Sequence, residues 1–201
     1  MQISKYIISI IVLSILIISC SGEVTVPVPK PRMYPRVDFP NREYQAYNSP
    51  DCNYSFEYPK YANVIQDKYQ FGDQSVNECW FNLEFSNFNA SLHCDYTSID
   101  KEKFGSLMQD AFKIVSKHNI KANFREESII QNEQNVGGLL FSIKGPVATP
   151  YQFYLSDTTE HFFRASLYFN SRVNPDSMKI IHDFIKTDID HMIKTFSWTS
   201  L

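Results

Sequence analysis

The feature that most constrains this chain is the apolar segment at its N-terminus. Lys5 and Tyr6 precede a run of Ile, Leu and Val over residues 7–18 that only Ser9 and Ser14 interrupt, and polar residues resume at Ser21. A basic start, an apolar run of this length and a small residue at the break are typical of a secretory signal peptide. A membrane-spanning helix needs about 20 apolar residues, and this run is shorter. The sequence therefore predicts an exported protein with residues 1–19 as its signal peptide.

The end of the apolar run indicates lipidation. Residues 17–20 read Ile-Ile-Ser-Cys, which fits the lipobox of bacterial lipoproteins, where the cysteine is acylated and the chain is cut just before it. Cys20 would then carry fatty acyl groups such as palmitate and anchor the protein in a membrane of the cell envelope. The folded part would face the periplasm, and the sequence does not distinguish the inner from the outer membrane. The alternative is an uncleaved single-span anchor.

A proline-rich stretch follows the lipobox, and we predict that residues 20–50 are a tether. Five of its prolines fall within fourteen residues: Pro27, Pro29, Pro31, Pro35 and Pro40. Each proline fixes its own φ and biases the preceding residue towards extended structure, so the stretch should act as a semi-rigid spacer. Its basic residues, among them Lys30, Arg32 and Arg36, fit either a solvated linker or a docking strip for lipid headgroups or a partner. Residues 51–201 would then form the globular domain.

Period-two alternation predicts most of the strands of this domain. The predicted strands are residues 54–58, 61–65, 79–85, 90–96, 121–130, 137–144, 151–155 and 162–169. Residues 79–85 and 90–96 alternate strictly on either side of a short polar turn, which is typical of a hairpin. We predict that Phe85 pairs with Ala90 and that Leu83 points into the core while Glu84 points outward.

Two amphipathic helices complete the pattern. Asp100 is a suitable N-cap, and apolar residues recur at offsets of 3, 4, 7, 8 and 11 from Phe104. Asn174 and Pro175 begin a second helix of about twenty residues that runs to Trp198. Strands, a helix, more strands and a long helix predict an α+β fold: one domain with a mainly antiparallel sheet covered by two helices. The 16 Phe and 12 Tyr of the chain suit a sheet with a well-filled core.

Three cysteines remain after Cys20, and export places them in an oxidising compartment. In the predicted hairpin register, Cys79 and Cys94 are diagonal neighbours, typically about 7–8 Å apart at Cα, which is too far for a disulfide. Cys52, at the entry to the first predicted strand, can approach Cys79. We therefore predict a Cys52–Cys79 disulfide, with three free thiols as the alternative.

No pattern of ionisable residues predicts a catalytic, metal or cofactor site. The last helix carries His182, Asp183, Asp188, Asp190 and His191. Their spacing matches no HExxH motif, and a zinc site usually needs three or four convergent ligands, so we interpret them as a solvated face opposite the apolar stripe. His93 beside Asp95 is interpreted as a surface pair, and His161 after Glu160 as turn chemistry. A formal net charge of −3 with no long basic run argues against a nucleic-acid partner.

Several motifs lie in order along nearly the whole mature chain: the Cys20 lipobox, Pro29-Lys30-Pro31-Arg32 followed by Tyr34 and Arg36, Phe56-Glu57-Tyr58-Pro59 followed by Tyr61-Ala62, Cys79-Trp80, and residues 153–169. Together they resemble the gliding-motility lipoprotein GldD family of Bacteroidetes. Cys94 stands where the family suggests an aliphatic residue, which implies a thiol in the core. The opening strand that ends in Tyr-Pro and the long closing helix also resemble PsbP/Mog1-like domains, which implies the same α+β fold.

The resemblance implies an accessory component of the cell-envelope gliding machinery, tied functionally to the type IX secretion system. It implies other gliding and secretion envelope proteins as partners and brings no catalytic or cofactor-binding residues with it. We therefore expect a non-catalytic lipoprotein that acts through protein contacts. The alternative is a periplasmic hydrolase or metal-dependent enzyme with an unrecognised site.

Overall fold

Strands dominate the computed structural model of the chain, which describes residues 36–48, 52–66, 79–171 and 174–199. The predicted signal peptide, Cys20 and residues 20–35 of the predicted tether lie outside these ranges. The elements are β1 (Tyr44–Asn48), β2 (Tyr54–Pro59), β3 (Asn63–Gln66), β4 (Phe81–Phe85), β5 (Ala90–Ser98), α1 (Lys101–His118), β6 (Phe124–Gln131), β7 (Gly137–Lys144), β8 (Tyr151–Ser156), β9 (His161–Phe169), α2 (Pro175–Thr195) and β10 (Ser197–Trp198).

The strands that the structure describes form two antiparallel sheets. The larger has the order β3-β4-β5-β9-β8-β7-β6, and the smaller has the order β1-β2-β10. All of the strand pairs are antiparallel. With two α-helices in the described part of the chain and one compact unit from residue 37 onward, the α+β prediction is confirmed.

Each face of the large sheet has its own apolar core. Phe153 and Phe163 belong to the larger cluster, which includes the buried residues of β2 and α2. Their sequence neighbours Tyr154 and Phe162 belong to a second cluster with Ala111 and Val115 of α1. Successive side chains of a strand point to opposite faces, so the sheet lies between α1 on one side and α2 with the small sheet on the other.

The β4–β5 hairpin has the predicted register. Phe85 pairs with Ala90, and Phe81 pairs with Cys94. The turn between the strands contains Asn89 at φ 48°, a left-handed conformation that asparagine tolerates better than most residues. The alternation therefore specified this register correctly, because a slip of one residue would move every apolar side chain of the strand to the other face.

Leu83→Ala should lower the free energy of unfolding by about 2–5 kcal/mol, because it leaves a cavity in the core. Leu83 is 1% exposed, whereas Glu84 is partly exposed on the opposite face. Glu84→Ala is the matched control and should cost less than about 0.5 kcal/mol. Urea denaturation of both variants checks this, and equal costs would contradict the inward position of Leu83.

Both helices begin where their capping residues predict. The backbone N–H of Lys103 donates to Asp100 Oδ1 over 2.8 Å at the start of α1, and Asn174 caps α2 with Pro175 in the first turn. However, α2 ends at Thr195 rather than at Trp198. Phe196 is extended, with φ −63° and ψ 133°, and the next two residues pair with β2 as β10. No helix within the described ranges combines the length and apolarity needed to cross a bilayer.

Strand β1 was not predicted from the sequence. The predicted tether ran to residue 50, but the structure pairs Tyr44–Asn48 with β2 along its full length. Tyr47 packs against the core and stacks on Phe56 with ring centroids 4.8 Å apart. Tyr44 and Tyr47 are three residues apart, so the segment lacks the period-two pattern of a half-buried strand. Its pairing with β2 and the packing of Tyr47 stabilise it instead.

Candidate functional site

A buried carboxylate holds the N-terminal strap of the domain, residues 37–48, against α2. The side chain of Asp188 has no solvent exposure. It accepts hydrogen bonds from Tyr44 Oη over 2.8 Å, from Arg42 Nε over 3.2 Å and from the hydroxyl of Tyr61. A buried carboxylate is costly unless it is paired and hydrogen-bonded, and these three donors meet both conditions. We call Arg42, Tyr44, Tyr61 and Asp188 the clamp.

Arg42 makes further contacts with α2. Its Nη2 donates to the carbonyl oxygen of Phe184 over 3.2 Å, and its guanidinium lies 4.2 Å from the centre of the Phe184 ring. Burial, together with the hydrogen bond to Asp188, raises the pKa of Tyr44 to about 12. Burial likewise raises the pKa of Tyr61 well above its ordinary value. Both hydroxyls therefore stay protonated near neutral pH and can donate to the carboxylate.

A second polar pair joins β2 to the same helix. His191 Nε2 lies 2.7 Å from Glu57 Oε2, and its ring stacks on Tyr44 with centroids 3.7 Å apart. One turn further along, the backbone N–H of Glu57 donates to Thr195 Oγ1 over 3.0 Å. Strands β1 and β2 are thus attached to α2 through side chains, beside the clamp.

The prediction that the polar residues of α2 form a solvated face is wrong for three of them. Asp188 is 1% exposed, and the side chains of His182 and His191 are only 20% and 29% exposed. Asp183 is exposed, and Asp190 is partly exposed and 2.7 Å from Lys186 Nζ, so for these two the prediction holds. The burial of Asp188 could have been predicted from its spacing, since it lies three residues after Ile185 and four before Met192. That spacing places it within the apolar stripe of the helix.

The structure has the predicted disulfide between Cys52 and Cys79. Their Cα atoms are 5.7 Å apart, and their sequence separation is 27. The third thiol, Cys94, is free and buried, and burial raises its pKa well above the ordinary value. The implied role of Cys94 as a core thiol is therefore confirmed.

Reduction of the disulfide should lower the free energy of unfolding by about 3.5 kcal/mol on the chain-entropy model, because the unfolded chain regains the freedom of the loop. Urea denaturation of the oxidised and reduced protein measures this. Cys94→Ala is the matched control, since it removes the free thiol and should leave the effect of the reductant unchanged. Free Cys52 in non-reducing peptide maps of the exported protein would contradict the pairing.

One group of side chains in the described part of the chain could hold a metal ion: Asp157, Glu160 and His161, whose ligand atoms lie within 4.8 Å of one another. Asp157 Oδ1 already accepts the backbone N–H of Thr159, Glu160 and His161 over 2.9–3.0 Å. His161 Nδ1 lies 2.7 Å from Tyr96 Oη. These are the contacts of a tight turn between β8 and β9, as the sequence predicted for His161.

Asp95 interacts electrostatically with its predicted partner His93, but its hydrogen bonds come from another residue. Asp95 accepts hydrogen bonds from Arg164 Nε over 3.0 Å and from Arg164 Nη2 over 2.8 Å. The two residues are direct cross-strand partners between β5 and β9. His93 Nε2 lies 3.3 Å from Ser91 Oγ, and its ring meets Tyr168 edge to face. The bidentate geometry of arginine explains the preference of Asp95 for Arg164.

An open cleft of about 430 Å³ lies between the end of β7 and the first half of α2. Its apolar lining residues are Ile143, Val147, Pro150, Phe169 and Met178. Lys144, Lys179, His182 and Asp183 also line it. This volume and mainly apolar lining are typical of small-molecule sites.

Comparisons with known proteins identify the family of this chain. A search of curated proteins found no matching relative. Among solved structures, the chain is similar to the solution structure of cyanobacterial PsbP (CyanoP) from Synechocystis sp. PCC 6803, with 12% sequence identity and a TM-score of 0.41, over 79% of this chain and 94% of that one. The family model described as "Gliding motility lipoprotein GldD" matches residues 24–198. The chain therefore belongs to the GldD family of gliding motility lipoproteins.

Proposed function

We propose that this protein is a non-catalytic accessory component of the gliding machinery, working through contacts with other envelope proteins and linked to type IX secretion. Membership of the family associates the chain with gliding motility and with anchoring to the cell envelope. We call the action through protein contacts the adaptor role. The adaptor role and the link to secretion go beyond family membership and are the content of the proposal.

The observation that carries the adaptor role is the attachment of the N-terminal strap. Residues 37–48 follow the proline-rich stretch, and β1 pairs with β2 over five residues. Arg42 and Tyr44 are held by the buried carboxylate of Asp188. Residues 37–48 are therefore held in the fold of the domain and are not part of the predicted tether. An N-terminal strap fixed in this way suits a domain that works through contacts with partners.

The anchor itself is tested by Cys20→Ala. We propose that Cys20 carries the acyl groups, with palmitate among them, and that the domain faces the periplasm. The variant should lose acylation and leave the signal peptide uncleaved at this site, which mass spectrometry of the purified protein detects. A cell carrying only this variant should lose colony spreading. An unmodified Cys20 in the wild-type protein would contradict the proposal.

A non-catalytic role predicts that spreading tolerates the loss of individual ionisable side chains. His93→Ala, His161→Ala and Asp183→Ala should each retain spreading at normal protein levels. Loss of spreading in one of these variants, with the protein still folded, would favour the alternative of a hydrolase or metal-dependent enzyme.

Crosslinking in intact cells, followed by purification from membranes, tests the partners. The wild-type protein should recover components of the type IX secretion system, and Cys20→Ala should recover fewer of them. Recovery of gliding proteins without any secretion component would contradict the link to secretion but would agree with the adaptor role.

A further inference from the structure

Three lysines without an ion pair lie close together at one end of the large sheet. Lys117 is in the last turn of α1, Lys121 follows in the 3₁₀ turn Asn119–Lys121, and Lys144 ends β7. Among the described residues, every other lysine except Lys101 pairs with a carboxylate. The uncompensated ammonium groups of the described domain are therefore concentrated here.

Backbone and side-chain contacts hold these residues together. Lys144 is the direct cross-strand partner of Phe124, and its Nζ lies 5.5 Å from the centre of the Phe124 ring. The backbone N–H of Asn123 donates to the carbonyl oxygen of Lys144 over 2.8 Å. The end of β7 thus packs beside the segment between α1 and β6. We call Lys117, Ile120, Lys121, Phe124 and Lys144 the basic corner.

The basic corner exposes large apolar side chains among its lysines. Ile120 is 87% exposed and Phe124 is 54% exposed. Residues 111–125 and 134–156, which contain the basic corner, include no Asp or Glu. The acids Asp176 and Asp183 of α2 line the adjacent cleft, and Asp183 is paired with Lys179. Exposed apolar side chains ringed by basic ones are typical of a protein surface that lies on a lipid bilayer.

The proposed acyl anchor keeps such a bilayer within reach. Cys20 and Arg36 are sixteen residues apart in the sequence, and an extended chain of that length spans at most about 55 Å. Each lysine beside an anionic lipid surface strengthens attachment by about fivefold. Three lysines can therefore select one orientation of a domain that the anchor already holds nearby.

We propose that the basic corner docks on the anionic phospholipid surface of the membrane that holds Cys20. Ile120 and Phe124 enter the headgroup layer, and the three ammonium groups contact the lipid phosphates. The inference rests on the proposed function in one respect, the acyl anchor on Cys20. It adds a second contact with the membrane, made by the folded domain.

Ile129 is the internal comparison for Ile120. It is 86% exposed on β6, but Glu126, Glu127 and Glu133 lie within four residues of it. Strand β6 carries Ile129 about 17 Å beyond Phe124. The two isoleucines thus match in exposure and differ in surrounding charge.

Spin-labelled lipid headgroups report which isoleucine approaches the membrane. Acylated protein, labelled with ¹³C at its isoleucine methyl groups, is placed at one copy per nanodisc, and Ile→Val variants assign the signals. In discs of mixed phosphatidylcholine and phosphatidylglycerol, the paramagnetic relaxation of Ile120 should exceed that of Ile129 at least about fivefold, because the effect falls with the sixth power of distance. In phosphatidylcholine alone the ratio should fall to near one.

Two variants test the role of the lysines. The test variant replaces the three lysines of the basic corner by glutamine and should bring the ratio to near one. The matched control removes the same charge from α1 outside the basic corner and should keep the ratio; it combines Lys101→Gln, Lys103→Gln and Lys113→Gln.

The outcomes separate this inference from the anchor. Protein that enters the discs but relaxes no faster at Ile120 than at Ile129 overturns the inference and leaves the anchor unaffected. Equal ratios in the two kinds of disc, or an unchanged ratio in the test variant, also overturn it. Broadening of Ile120 only when a second copy shares the disc would assign the surface to that copy instead. Protein that does not enter the discs contradicts the anchor, and this inference fails with it.

Discussion

Asp188→Ala should lower the free energy of unfolding by about 3 kcal/mol, near the lower end of the range for breaking a buried ion pair. The substitution removes the acceptor shared by Arg42, Tyr44 and Tyr61. Arg42 is 38% exposed and can turn towards water, which limits the cost. The two tyrosine hydroxyls lose a charged acceptor in a partly buried setting, and leaving such donors unpaired costs about 1–3 kcal/mol.

Asp183→Ala is the matched control for this prediction. Asp183 is on the same helix and pairs with Lys179, but its side chain is 51% exposed. Exposed pairs of this kind contribute about 0.3–0.5 kcal/mol, so the control should unfold almost as the wild type does. Equal costs for the two variants in urea denaturation would show that Asp188 is not the buried partner of the strap.

A double-mutant cycle with Arg42→Leu assigns the effect to the clamp. Residues in direct contact usually show coupling energies of about 0.5–3 kcal/mol, whereas distant residues are additive. Hydrogen exchange should also quicken in β1 of Asp188→Ala, because the strap loses its attachment to α2. Additive costs together with unchanged exchange in β1 would contradict the role of the clamp.

The sequence predicts the hairpins and helices of this fold because their signals are local. Strict alternation on both sides of a short turn specified the β4–β5 register, and the capping residues Asp100 and Asn174 marked the starts of the helices. The Cys52–Cys79 disulfide followed from that register, since it places Cys79 and Cys94 too far apart to bridge.

The parts that the sequence did not predict depend on contacts between distant residues. Strand β1 has no alternation of its own and exists through its pairing with β2. Asp188 was assigned to a solvated face by its charge, although its spacing places it in the apolar stripe. Its donors Arg42 and Tyr61 are 146 and 127 residues away. No local pattern brings these residues together, so the clamp could only be found in the structure.

These long-range contacts connect the fold to the proposed function. In a lipoprotein, any load between the membrane and the partners of the domain passes through the segment that joins the anchor to the domain. Here the described end of that segment, residues 37–48, pairs with β2 through β1 and is held by the buried carboxylate of Asp188 on α2. The strap therefore joins the fold through both a strand pairing and the clamp.

Phe163→Ala should be the most damaging of these substitutions, with an expected cost of about 3–5 kcal/mol. Phe163 is fully buried on β9. Its ring centre lies 5.2 Å from that of Tyr54 on β2 and 5.0 Å from that of Phe196, which follows α2. It also lies 6.4 Å from Phe81 on β4 and 6.3 Å from Phe153 on β8. The ring thus joins the large sheet to β2 and to the end of α2.

The cost should be high because these surroundings cannot close around the missing ring. The neighbours of Phe163 are fixed by strand pairing on both sides, since Tyr96 of β5 and Leu155 of β8 are its direct partners. If the cavity cannot collapse, the folded variant loses both the aromatic contacts of the ring and the free energy gained by transferring the ring out of water. Phe124→Ala is the matched control, since Phe124 is 54% exposed on the edge strand β6. The free energy of unfolding of that variant should fall by less than about 1 kcal/mol. Thermal denaturation of both variants checks this, and equal shifts in melting temperature would contradict the placement of Phe163 in the main aromatic core.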